Sequence, residues 1–108
     1  MSTPDELYNT LITLGEDWAD KNSAADLLKE NRKSIRAQVA LQYLGKAKSI
    51  AQCELMAESD VDYIRHIGEM VKAERAANIA RVNYDAWRTF IDLLRSKEAT
   101  ERAAFQMR

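Results

Sequence analysis

Residues 60–102 read DVDYIRHIGEMVKAERAANIARVNYDAWRTFIDLLRSKEATER and decide the fold of this 108-residue chain. The stretch contains no proline and a single glycine, Gly68. An unbroken helix of this length extends for about 65 Å, at a rise of 1.5 Å per residue. A compact domain of about 100 residues has a radius of gyration of only about 13 Å. The stretch therefore predicts an elongated molecule with one long C-terminal helix.

Apolar residues repeat every seven positions along this helix, which is about two helical turns. One line consists of Met70, Ala77, Tyr84 and Ile91, a second consists of Ala73, Ala80, Trp87 and Leu94, and Phe90 widens the surface. We call these nine residues the seam. A repeat of this kind is typical of coiled coils. It favours coiled-coil-like self-association, most simply a symmetric dimer, over an elongated monomer of three helices.

Three further helices are expected before the long one. Thr3-Pro4-Asp5-Glu6 is a capping box with proline at the first helical position, and it opens a helix over residues 4–20. Asn22-Ser23 indicates a second start, so we expect a helix over 24–44 that Gly45 ends. Ser49 opens a short helix over 50–57, and Ser59 with Asp62 opens the long one over 60–102. The fold class is all-α, an elongated helical hairpin or bundle forming a single domain over residues 1–108.

Composition narrows the class of protein. The chain has 16 basic and 17 acidic residues and a net charge of −1, which does not suit a protein that coats nucleic acid by bulk charge. Its single cysteine, Cys53, excludes an internal disulfide and favours a reducing, cytoplasmic setting. The start lacks the basic and apolar pattern of a signal peptide. The charge-free stretch 37–45 is far shorter than the roughly 18 residues of a membrane span, so we expect no membrane partner.

Two groups of basic residues are candidates for contact with nucleic acid. Lys29, Arg32, Lys33 and Arg36 are spaced three and four apart and share one side of a helix, which we call the basic face. Arg81, Arg88, Arg95 and Arg102 recur every seven residues and form what we call the arginine strip. Each strip member has an acid within one turn, among Asp85, Asp92 and Glu98, so we expect a ladder of weak ion pairs. The basic face is therefore the better candidate for phosphates.

No arrangement of residues predicts catalysis. His66, the only histidine, has Asp62 and Glu69 nearby but lacks the Glu-x-x-His spacing of di-iron bundles. Cys53 lies among apolar neighbours and is expected to be a core residue. A helix-turn-helix reading of residues 49–64 is disfavoured because the second helix opens with acids. We expect a protein that is not an enzyme and has no catalytic residues, no metal ligands and no cofactor.

Residues 72–85, KAERAANIARVNYD, and 94–103, LRSKEATERA, resemble small helical proteins encoded by tailed phages and prophages. Most of those proteins are uncharacterised, and they tend to lie near recombination and replication genes. The resemblance covers about residues 49–108. It implies a setting in DNA metabolism within the host cytoplasm and supplies no catalytic residues.

Together these observations predict a helical protein-interaction module. The resemblance implies a phage accessory or inhibitory factor that acts on a DNA-processing protein. The expected binding surface is the exposed part of the seam around Tyr84, Trp87, Phe90, Ile91 and Leu94. The alternative is a nucleic-acid-binding accessory protein that uses the basic face. A structural component of the virion is a third possibility.

Overall fold

The structure is a computed structural model that describes residues 3–107. It contains three helices: α1 spans Pro4–Leu41, α2 spans Ile50–Glu58 and α3 spans Val61–Gln106. The molecule is 86 Å long and only 20 and 16 Å across. No strand occurs within the described residues. The predicted class, all-α and elongated with one long C-terminal helix, is confirmed.

The N-terminal cap of α1 forms as the sequence predicts. The Thr3 hydroxyl accepts a hydrogen bond from the backbone N–H of Glu6, and the Glu6 carboxylate accepts one from the backbone N–H of Thr3, both at 3.2 Å. Pro4 occupies the first helical position, where its missing N–H costs nothing. Two of the N–H groups that lack helical partners are thus satisfied.

The predicted break between helices 4–20 and 24–44 is wrong, because α1 is continuous from Pro4 to Leu41. Asn22 and Ser23 are mediocre helix formers, but neither blocks a helix as proline does. Ala25, only 3% exposed, lies immediately after them. A break in the helix at this point would expose the buried Ala25 side chain. Packing therefore outweighs the weak local preference for a second helix to begin here.

The end of α1 also differs from the prediction by three residues. After Leu41 the backbone tightens, and the N–H groups of Gln42, Tyr43 and Leu44 donate to carbonyls three residues earlier. Gly45 follows with φ of 87°, a left-handed conformation that favours glycine. The prediction that Gly45 ends the helix is therefore wrong, because the regular helix ends at Leu41 and Gly45 lies in the turn that follows.

Helices α2 and α3 begin with side-chain caps. The Ser49 hydroxyl accepts from the N–H of Gln52 at 3.2 Å, as predicted. The cap of α3 is Asp60 rather than Ser59, and its carboxylate accepts from the N–H of Asp62 at 2.8 Å. Helix α3 continues to Gln106, four residues beyond the predicted end at Arg102. No proline or glycine lies between these two residues to stop it.

Helices α1 and α3 form an antiparallel hairpin, with α2 at its closed end. Residues early in α1 contact residues late in α3: the Trp87 indole Nε1 donates to the Leu7 carbonyl at 2.9 Å. Trp18 stacks on Tyr84 with ring centroids 5.5 Å apart. Nearer the closed end, His66 Nε2 lies 2.9 Å from the Leu28 carbonyl oxygen.

The core of the hairpin is thin and made mainly of small side chains. Within residues 3–107 the buried residues are Ala25, Val39, Cys53, Ala57, Ala77, Ala80 and Ile91. No large side chain among them is fully buried. The radius of gyration is 24.0 Å, against about 13 Å for a compact domain of similar length. Two helices side by side leave most of each helix surface in contact with solvent.

Candidate protein-interaction surface

The seam of α3 faces α1 of the same chain. Of its nine residues, three are buried, namely Ala77, Ala80 and Ile91. Five more are half-buried, namely Met70, Ala73, Tyr84, Trp87 and Leu94. Phe90 differs, with 44% of its surface exposed. The structure thus corrects the expectation that Tyr84, Trp87, Ile91 and Leu94 form an exposed surface for a second protein. The reason is the unbroken α1, which at 38 residues extends for about 57 Å and can cover the seam.

Close contacts show how tightly α1 occupies the seam. A Cβ added to Gly15 would lie 3.3 Å from Tyr84 Cε2, so glycine permits the two helices to approach there. The Trp18 ring also packs on Tyr84 at a tilt of 36°, and Trp87 packs on Phe90 with ring centroids 5.3 Å apart. Aromatic side chains therefore fill the wide end of the seam, and the alanines fill its narrow part.

A second apolar line runs along the solvent-facing side of α3. It consists of Ile64, Val71, Ile79, Val82 and Leu93, which are 56%, 54%, 48%, 58% and 64% exposed. We call these five residues the outer stripe. At about 100° per residue they fall on the side of the helix opposite the seam. Helix α3 therefore carries apolar residues on two faces, of which α1 covers one.

The sequence prediction did not identify the outer stripe, because it considered only the seven-residue repeat. Val71, Val82 and Leu93 are eleven residues apart, and eleven residues make about three helical turns. A search for eleven-residue periodicity would have found them. Around Val71 and Val82 the surface forms a shallow groove of about 420 Å³, lined also by Glu74, Arg75, Asn78, Ile79 and Asn83.

Other exposed apolar residues lie at the closed end of the hairpin. They are Leu41, Leu44, Ile50, Leu55 and Val61, which are 59–75% exposed. Helix α2 packs through Cys53 and Ala57, 3% and 0% exposed, while its Ile50 and Leu55 side chains are exposed. These residues belong to four different segments of the chain, whereas the outer stripe lies on one helix. The outer stripe is thus the better defined surface for another helix.

The predicted ion-pair ladder of the arginine strip does not form. Within residues 3–107 none of the ion pairs shorter than 4.0 Å involves Arg81, Arg88, Arg95 or Arg102. Arg95 instead lies over the Tyr8 ring, with Cζ 6.0 Å from the centroid. All four arginines are exposed. Exposed pairs at this spacing contribute only about 0.3–0.5 kcal/mol, which hydration and side-chain entropy readily offset.

The basic face is divided between internal ion pairs and solvent. Lys29 Nζ lies 3.4 Å from Glu74 on α3, and Arg36 lies 2.9 Å from Glu58 and 4.0 Å from Glu54 on α2. Arg32 and Lys33 are exposed and make no ion pair within the described part of the chain. Half of the predicted phosphate-binding set thus connects α1 to the other two helices.

Tyr43, Asp60 and Cys53 are titratable residues that make contacts within the fold. Tyr43 donates a hydrogen bond to Asp60 at 2.5 Å, which joins the turn after α1 to the cap of α3. This bond raises the pKa of Tyr43 and lowers the pKa of Asp60. Cys53 is a free, buried thiol. Within residues 3–107 no three His, Cys, Asp or Glu side chains are grouped so as to hold a metal ion.

No stretch of helix within residues 3–107 is apolar over a length that would traverse a bilayer. Comparison of the chain with protein-family models, with curated proteins and with solved structures finds no match.

Proposed function

We propose that the protein is a non-enzymatic, helical protein-interaction module that binds a helical partner along the outer stripe of α3. The observation that carries the proposal is the exposure of Ile64, Val71, Ile79, Val82 and Leu93, each about half or more exposed, along one side of a single helix. Rows of exposed aliphatic side chains of this kind are typical of surfaces that receive another helix.

The form of the surface supports a helix as the partner. From Ile64 to Leu93 the outer stripe extends for about 44 Å along α3. The groove at Val71 and Val82 is shallow, with a volume of about 420 Å³. A long, shallow and nearly straight apolar surface matches the ridge of side chains on another helix. In the phage setting that the resemblance implies, the module so assembled would accompany or inhibit a DNA-processing protein.

The proposal is tested by capture with matched variants. Val71→Glu and Val82→Glu together place two charges in the outer stripe. Ile12→Glu with Leu27→Glu places the same charges on exposed residues of α1, which are 58% and 57% exposed, against 54% and 58% for the stripe pair. Each tagged protein is incubated with an extract of the native host cell, and bound proteins are quantified by mass spectrometry.

We expect a defined protein that is retained by the wild type and by the α1 control and is lost by the stripe variant. An apolar-to-charged change at the centre of an interface costs several kcal/mol, enough for loss to be complete. Circular dichroism verifies that the stripe variant stays helical. Retention of the same proteins by all three forms would contradict the proposal.

A further inference from the structure

The protein exposes more surface than a compact chain of its mass. Its accessible surface is 8497 Å², whereas a compact monomer of 12.3 kDa exposes about 6,100 Å². The difference is about 2,400 Å². Obligate dimer interfaces bury about 2,000–5,000 Å² in total, or about 1,000–2,500 Å² per subunit. The excess surface is therefore of the size that one subunit hides in an obligate dimer.

We propose that the outer stripe of α3 binds the outer stripe of a second copy of this chain, in antiparallel orientation about a two-fold axis at Val82. The inference rests on the proposed function and names the partner of that surface. Val71 and Leu93 each lie eleven residues from Val82, in opposite directions along α3. The axis therefore brings Val82 against Val82 of the second copy and Val71 against Leu93 of the second copy. The result is a layer of four helices, with the two α3 helices in the middle.

Arg75 determines the direction of pairing. It lines the same groove as Val71 and Val82 of the outer stripe and is exposed. Parallel pairing at the same register would place Arg75 against Arg75 of the second copy, and such like charges repel. Arg75 lies seven residues before Val82, and Thr89 lies seven residues after it. Antiparallel pairing about Val82 therefore places Arg75 opposite the neutral Thr89.

Charges beside the axis support the same orientation. Arg81 and Asp85 lie on one side of the outer stripe, one residue before and three residues after Val82. Neither forms an ion pair within residues 3–107. In the antiparallel pair Asp85 of each copy faces Arg81 of the other, so the two-fold axis generates two reciprocal ion pairs.

The two apolar repeats of α3 differ in length, so that one faces α1 and the other faces the second copy. The seam repeats every seven residues, whereas Val71, Val82 and Leu93 repeat every eleven. On a helix of 3.6 residues per turn these two lines drift slowly in opposite directions, by about 20° per repeat. The seam packs against α1, and the outer stripe stays exposed over the two repeats from Val71 to Leu93.

The first test is the mass of the purified chain by light scattering at micromolar concentration. We expect twice the chain mass of 12.3 kDa for the wild type and for Ile12→Glu. We expect the single chain mass for Val82→Glu, because the two-fold axis would bring two buried glutamates together. A monomeric wild type overturns the inference, as does a dimer that Val82→Glu leaves intact.

The second test is disulfide cross-linking in a Cys53→Ala background, where each introduced cysteine is the only one. Val82→Cys should cross-link with itself, because cysteines at the axis meet the Cα separation of about 4.4–6.8 Å that a disulfide needs. A mixture of the Val71→Cys and Leu93→Cys variants should cross-link on oxidation, because these two positions face each other in the antiparallel pair. Neither variant should cross-link when it is oxidised alone, since two Val71 residues are about 33 Å apart in that pair. Cross-linking of Val71→Cys alone overturns the proposed orientation.

Failure of this inference is distinguishable from failure of the proposed function. The mass and cross-linking measurements use the purified chain alone, whereas the capture experiment reports binding to other proteins. A monomeric chain that captures another protein through the outer stripe overturns the dimer and leaves the proposed function intact. A variant that fails to fold is recognised by its loss of helical circular dichroism, and the cross-linking of folded cysteine variants then decides.

Discussion

Trp87 and Leu7 are eighty residues apart in the chain, yet the Trp87 indole Nε1 donates a hydrogen bond to the Leu7 carbonyl oxygen at 2.9 Å. This bond connects a residue just past the middle of α3 to the first turn of α1 and aligns the two helices of the hairpin. Trp87→Phe keeps an aromatic ring and removes the donor. We expect the free energy of unfolding in urea to fall by about 1 kcal/mol.

Trp18→Phe is the matched control for this bond. Trp18 also packs between the helices, against Tyr84, but its indole makes no hydrogen bond within residues 3–107. The same change of ring should therefore cost less than it does at Trp87. Equal losses at both positions would indicate that ring volume, and not the hydrogen bond, determines the effect.

Gly15 and Gly68 should respond differently to alanine. Both lie inside helices, where alanine is favoured over glycine by about 1 kcal/mol. A Cβ at Gly68 meets nothing within 4 Å, so Gly68→Ala should raise the free energy of unfolding by about that amount. At Gly15 the new Cβ would lie 3.3 Å from Tyr84 Cε2, and this crowding should offset the gain. Thermal unfolding of the two variants tests the difference, and an equal rise in both would contradict it.

Ala57 should tolerate no larger side chain, because it is the contact through which α2 packs into the fold. It is 0% exposed, whereas Ala51 in the same helix is exposed. Ala57→Leu should lower the free energy of unfolding by about 1–3 kcal/mol through overpacking. Ala51→Leu should change it by less than about 0.5 kcal/mol. Urea unfolding of both variants checks the prediction, which an equal effect would refute.

The hydrogen bond between Tyr43 and Asp60 should make stability depend on pH. The bond lowers the pKa of Asp60, so its contribution is present above the ordinary Asp pKa of about 3.9 and is lost as the pH falls through the lowered value. It raises the pKa of Tyr43, so the contribution is present below the ordinary Tyr pKa of about 10 and is lost as the pH rises through the raised value.

Tyr43→Phe removes this hydrogen bond and keeps the ring. The wild type should be more stable than the variant at neutral pH, and the difference should shrink as the pH falls from about 4 through the lowered pKa of Asp60. Urea unfolding across this range measures the difference. A difference that stays constant down to pH 2 would show that the hydroxyl contributes nothing through Asp60.

Residues of the basic face should differ in how much they contribute to the free energy of unfolding. Arg36 contacts Glu58 and Glu54 on α2, so Arg36→Ala should lower the free energy of unfolding, by up to about 1 kcal/mol because the pairs are partly exposed. Arg32→Ala removes an exposed side chain and should change stability by less than about 0.5 kcal/mol. Urea unfolding of both variants provides the comparison, and a larger loss for Arg32→Ala would be incompatible with it.

Nucleic-acid binding provides a separate test of the same residues. Because Lys29 and Arg36 are paired with acids, we expect weak binding at most in an anisotropy titration with single- and double-stranded DNA at about 50 mM salt. Tight binding that Lys29→Ala, Lys33→Ala and Arg36→Ala together abolish would instead favour the nucleic-acid-binding alternative.

The helical class, the elongated shape and most helix ends follow from the amino-acid sequence alone. These depend on local chemistry: the box formed by Thr3 and Glu6, the Ser49 cap, the left-handed Gly45 and the absence of helix breakers after Val61. The seven-residue repeat also identified which face of α3 is buried, because periodicity reports the amphipathic face of a helix.

What covers that face, and whether α1 is one helix or two, depends on tertiary packing. The Asn22-Ser23 signal is worth a fraction of a kcal/mol, and the packing of Ala25 in a continuous helix outweighs it. The continuous α1 packs along the seam. The predicted interaction residues Tyr84, Trp87 and Ile91 therefore face α1 of the same chain and are buried or half-buried. The outer stripe became apparent only when exposure distinguished two apolar faces on one helix. Neighbours distant in sequence determine exposure, and a local repeat carries no information about them.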